Sequence, residues 1–164
     1  MYITFEEYNQ LYDQMDEKLF NNLAFDACRV MDIHTTGIDN VAKLRQYSPT
    51  DEYDIMVVKR CAAIIIHLMK QIQEAEAAAA ISRGYTETEQ GLQRRIISRV
   101  ESGNEAISYS DAKLSNTYID EAVSDKSVRD KLFADTVLEY LNGVRDRNGV
   151  NLLYMGSYPR RRSC

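Results

Sequence analysis

The side chains best suited to hold a metal or to pair as nucleophile and base are His34, His67, Cys28, Cys61 and Cys164. A helical metal site sets a carboxylate and an imidazole three or four residues apart, so that both project from one face. Here the third residue before His67 is Ile64, and the third before His34 is Met31. The cysteines are odd in number and form no CxxC, which supports neither a zinc site nor a closed disulfide set. Cys61 and His67 stand six apart and do not share a helical face, and Cys28 could meet a histidine only through tertiary contact. No phosphate-cradling glycine loop and no GxSxG nucleophile turn occurs, and the seven glycines are scattered. No catalytic residue, metal ligand or cofactor is therefore expected, and the chain reads as a non-enzyme with Cys28 and Cys61 as small core residues in a reducing compartment.

Charge narrows the partners. The net charge is −5, which gives no general attraction to nucleic acid or anionic lipid. It is unevenly spread: the first 60 residues hold 11 acids against 6 bases, the last 44 hold 6 against 8. An acidic partner surface would thus be drawn to the C-terminal portion. Glu74 with Glu76, and Glu87 with Glu89, are two apart and on a helix would diverge into solvent. Arg94, Arg95 and Arg99, diluted by Glu101 and Glu105, read as mixed surface charge or as a contact for a phosphate or a partner's carboxylates. No basic leader with an apolar segment opens the sequence, and no apolar run approaches the roughly 20 residues of a membrane span, so a cytosolic location is expected.

The elements that would carry these residues are mostly helical. Thr4 with Glu7 is a capping-box pattern opening a short helix in "TFEEYNQLYDQM", with Tyr8, Leu11 and Tyr12 on one face. A second helix is predicted from about Asp16 to Ile33, with Gly37 as its stop. The longest is predicted from about Thr50 to Ala80, with Pro49 before it and a stripe of Val58, Cys61, Ala62, Ile65, Leu68, Met69 and Ile72. Around "ESGNE" the residues 96–110 read as a β-hairpin or a pair of extended arms turning at Gly103 and Asn104. A last helix is predicted within "SDKSVRDKLFADTVLEYLNG", capped by Ser124 and ended by Gly143. Asn148-Gly149 then signals a tight turn before the apolar-aromatic ending "NLLYMGSYPRRRSC". The expected fold is mainly α: a small bundle around one long central helix in residues 1–149, an arm region at about 92–112, and an extended tail at 150–164.

The order of "YITFEEYNQLY", "DEKLFNNLAFDACRVMDIHTTGI", the long helix, "VESGNEAISYS" and "DTVLEYLNGVRDRNGVNLLYMGSYP" resembles the head-tail connector proteins of tailed phages and Gram-positive prophages, from Tyr2 to Pro159. The resemblance implies a structural subunit of a ring, dodecameric when assembled, that docks beneath a portal protein and extends the DNA channel towards a tail-side neck or stopper protein. It implies a place in the virion neck, and in the host cytoplasm during assembly. DNA would pass through without sequence-specific contacts, which suits a negative net charge. Whether the free chain is monomeric stays open.

A ring needs two different faces that meet. The alanine segment, with Ala75, Ala78 and Ala79, is a candidate for one of them, or simply a helix end of good propensity. Leu152, Leu153, Tyr154, Met155 and Tyr158 would insert into a portal groove, with Arg160, Arg161 and Arg162 pairing with its carboxylates, unless the segment packs on its own helices. Arg94, Arg95, Arg99 and Asn104 would face a neighbouring ring or the channel. The rival reading is a small helical nucleic-acid-binding regulator of phage or prophage origin, which needs a basic recognition surface.

Overall fold

The computed structural model describes residues 1–12, 14–82, 85–88, 91–94 and 118–159. The described chain is mainly helical, with α1 Phe5–Leu11, α2 Glu17–His34, α3 Lys43–Gln46, α4 Glu52–Ser82, α5 Tyr118–Ser124 and α6 Lys126–Leu141. Two short strands, β1 Tyr85–Thr88 and β2 Gly91–Arg94, pair antiparallel with Tyr85 opposite Arg94 and Thr88 opposite Gly91. Glu87 therefore stands in a strand and not on a helix. The expected arms at 96–110, with their Gly103-Asn104 turn, lie outside the described residues.

Helix starts follow local side-chain chemistry. The Thr4 hydroxyl accepts from Glu7 N while the Glu7 carboxylate accepts from Thr4 N, which completes the capping box of α1. Asp16 accepts from the backbone of Lys18 and Leu19 at the head of α2. Asp51 does the same for Tyr53 and Asp54 at the head of α4, relieving donors that the helix cannot satisfy itself. The last helix corrects the sequence reading: its cap is Asp125, whose carboxylate accepts from Ser127 N at 2.7 Å. Ser124 instead closes α5, donating its hydroxyl to the carbonyls of Asp120 and Glu121. Gly143, at φ +86°, ends the turn after α6 in the left-handed conformation that favours glycine.

The chain divides into two compact units, residues 1–70 with 130–164 and residues 71–129, so α4 and α6 contribute to both. The C-terminal segment belongs to the same unit as the first helices. In the first unit α1 is held to α2 by aromatic packing, with Phe5 and Tyr8 ring centroids 5.4 and 5.6 Å from that of Phe20. It is held to α4 by Tyr12 stacked at 4.3 Å on His67, and by Glu7 paired with Lys59 at 2.5 Å. That ion pair, followed by the capping bond, lowers the Glu7 carboxyl below its ordinary range. Cys61, Ala62, Ala63, Ile65 and Ile66 are all buried, so α4 is covered around most of its circumference there. In the second unit Ile72, Ala79 and Ala122 are buried and Arg129 reaches Glu76 at 3.0 Å.

If Asp125 is the cap of α6, Asp125→Ala lowers unfolding free energy by about 1 kcal/mol, while Ser124→Ala costs under about half of that. Urea unfolding of the two variants beside the wild type checks the assignment.

Candidate functional site

The apolar ending of the chain is built into a socket, and the turn before it explains why. Asp146 is buried, and its Oδ1 accepts from Asn148 N at 2.8 Å and Val150 N at 2.9 Å. Gly149, at φ +78°, allows the chain to reverse there, as the Asn148-Gly149 pair foretold. Arg145 and Asn151 then face each other across an antiparallel bridge, and Leu152 N donates to Val144 O at 3.0 Å. This brings Leu152 into the interior at 0% exposure, in the same core as the buried Leu141 and Val144.

Beyond Leu153 the segment runs against the loop that follows α2. Thr36 and Ala42 bridge, Gly37 N donates to Val41 O, and Asn40 takes φ +57°, which makes a tight reversal. Ile38 N donates to Met155 O at 3.1 Å. A Cβ at position 37 would stand 2.7 Å from Gly156 O, so only glycine lets the tail backbone approach so closely. Asp39 Oδ2 accepts from Tyr158 N at 2.6 Å, and that bond is the main reason its carboxyl lies below the ordinary range. Tyr158 stacks on Tyr47 with centroids 4.5 Å apart, accepts from Asn148 Nδ2 at 2.8 Å, and donates its hydroxyl to Asp146 Oδ2. Burial, then the Asp146 carboxylate, pushes the Tyr158 phenol up. Arg147 also lies over the Tyr47 ring, its guanidinium carbon 5.1 Å from the centroid.

The tail-docking expectation is thereby divided. Leu152 has no surface left for a partner, Leu153 is half-buried, and Tyr158 is engaged by Tyr47, Asp39 and Asp146. Tyr154 and Met155 remain exposed, 47% and 56%, and Ile38 beside Met155 is 78% exposed. The sequence reading missed Ile38, since a lone isoleucine in a Thr-Gly-Ile-Asp loop carries no periodic signal. Arg160, Arg161 and Arg162 lie outside the described residues, as do Arg95, Arg99, Asn104 and the side chain of Arg94. Of the alanines, Ala78 is exposed and Ala75 half-buried, whereas Ala79 is buried and belongs to the chain's own packing.

Burial pushes the Cys61 thiol up to about 12 and raises that of Cys28, so neither is poised as a thiolate. Among the described residues no three His, Cys, Asp or Glu side chains come together as a metal-holding group. No helix among them is long and apolar enough to cross a membrane. A cleft of about 530 Å³ is lined by Tyr53, Arg60, Glu139 and Tyr140 among others; the Asp54 carboxylate at its wall accepts from Arg145 N at 3.2 Å. Compared with protein-family models, curated proteins and solved structures, the chain matches none.

A tail seated in its own core makes opposite demands on two neighbours. Leu152→Ala is expected to lower unfolding free energy by about 2 to 5 kcal/mol. Met155→Ala should change it by less than about 0.5 kcal/mol. Denaturant unfolding of both variants measures the contrast.

Proposed function

We propose that the chain is a structural subunit of a phage head-tail connector ring, built as a small helical bundle around α4, that docks beneath a portal protein. The reading rests on the sequence resemblance from Tyr2 to Pro159. The structural observation that carries it furthest is the exposure of Ile38, Tyr154 and Met155, with Ile38 bonded by its backbone to Met155 and three arginines following in the chain. Isolated exposed apolar residues are ordinary, but here two segments distant in sequence are tied together by a backbone bond and present three large apolar side chains. An apolar anchor beside a cationic run fits a socket rimmed by carboxylates.

In this reading the tail does not insert whole. Leu152 and Tyr158 fix its base and end on the subunit, and Tyr154 and Met155 with Ile38 form the docking tip. Ala78 and the half-buried Ala75, not Ala79, are the alanines available to a neighbouring copy in the ring. The tail-side neck protein and the DNA channel would be met by other parts of the chain, among them residues 96–110, which the sequence alone reads as arms. An acidic net charge and the absence of a basic face in the sequence weigh against the rival, a nucleic-acid-binding regulator.

The test is a binding assay against the portal protein encoded beside this chain, with the double variant Tyr154→Ser, Met155→Ser as comparison. Hot-spot residues of this kind cost over about 1 kcal/mol each when truncated, so the double variant is expected to bind at least about tenfold more weakly with an unchanged far-UV spectrum. Equal binding by both would remove the tip from the interface. No portal binding by either, together with tight salt-dependent DNA binding, would transfer the assignment to the regulator.

A further inference from the structure

Lys43 is 1% exposed, and its ammonium has no hydrogen-bond partner among the described residues. Lysine is rarely so buried without a paired charge, because removing an ammonium from water is unfavourable unless its donors are satisfied. Its Nζ lies 3.5 Å from the place a Cβ of Gly37 would occupy, and Gly156 O approaches that same place to 2.7 Å. The lysine and the tail backbone therefore crowd one side of Gly37. The acids that face Lys43 are Asp39 and Asp146, the two that hold Tyr158 by its backbone and by its hydroxyl.

We propose that residues 156–159 form a releasable latch over Lys43, which opens while the helices stay folded. The closed state is held by Tyr158 N and the Ser157 hydroxyl donating to Asp39, by the Tyr158 hydroxyl donating to Asp146 and accepting from Asn148 Nδ2, and by the Tyr158 ring on Tyr47. Backbone pairing contributes little, since among the described residues the one backbone bond between the 36–42 loop and the tail runs from Ile38 N to Met155 O, just before the latch. Against closure stands the ammonium, which regains water when the latch lifts. Burial holds Lys43 below the ordinary lysine range even though Asp39 and Asp146 oppose the shift, so the closed surroundings disfavour its charge on balance.

The base of the latch is fixed. Leu152 is buried and bonded to Val144, so opening pivots beyond it, across Leu153 to Met155. Such an element, held by a few side-chain bonds outside any helix and set against one unsatisfied group, belongs to the low-stability end of a structure that opens locally. The inference concerns the chain alone and does not rest on the connector reading.

Two substitutions move the latch in opposite directions. Tyr158→Phe removes the bond to a charged acceptor and is expected to speed amide exchange at position 158 and at Ile38 by about tenfold or more. Lys43→Met keeps the aliphatic bulk, removes the trapped charge, and is expected to slow exchange at the same amides severalfold. Hydrogen exchange by NMR on the full chain reads both, with α4 amides as the internal reference. In the wild type the Tyr158 and Ile38 rates should be nearly independent of low urea, while those of α4 rise with it. Urea dependence equal to that of α4, or faster exchange in the lysine variant, would overturn the latch. Should that variant not fold, acylation of Lys43 in the native chain decides: modification that accelerates at least about tenfold in Tyr158→Phe, with exposed Lys18 as control, supports it, and modification only in denaturant overturns it.

Discussion

One carboxylate, that of Asp146, ties Tyr158 back to the turn at 146–150. A buried carboxylate must find donors, and Asp146 finds two in the backbone of its own turn and one in the Tyr158 hydroxyl. The first two shape the reversal that carries Leu152 into the core. The third catches the chain 12 residues later and lays Tyr158 on Tyr47. Asp39 completes the seat from the loop after α2, so a stretch without regular secondary structure is nonetheless placed by named bonds.

Much of the helical framework was legible because helix ends and apolar spacing are local. The Thr4–Glu7 box, the Asp16 start, the long helix after Pro49 and the glycine stop at Gly143 follow from side chains within four residues of the backbone they satisfy. The Ser124 assignment failed for a local reason as well: a serine and an aspartate stand side by side, and the charged acceptor takes the free amides of α6. The four-residue α3 went unseen, since so short a helix has no periodicity to read and depends on burial such as that of Leu44.

The socket was not legible, because its parts are distributed. Asp39, Lys43 and Tyr47 are evenly spaced, but nothing in the sequence links them to Asp146 and Tyr158, and only the tertiary return of the tail brings the five together. The sequence posed the question of what covers Leu152 to Tyr158, and left two answers open. Geometry divides them by residue: the ends of the segment are seated in the chain, and its middle, Tyr154 and Met155, faces outward with Ile38. In the docking we propose, side chains held from both sides would lose less freedom on binding than a free tail would. The same seat leaves Lys43 unsatisfied, so rigidity and readiness to open arise from one set of contacts.

The seat itself can be measured in solution without any partner. A two-dimensional NOE experiment on the full chain reports the Tyr47 and Tyr158 rings directly. A stacked pair at 4.5 Å gives strong ring-to-ring cross-peaks, together with a Tyr158 amide shifted by its bond to Asp39. Missing cross-peaks and a Tyr158 amide at the position of an unstructured chain would show that the tail is free, and would contradict the socket on which the tip and the latch both depend.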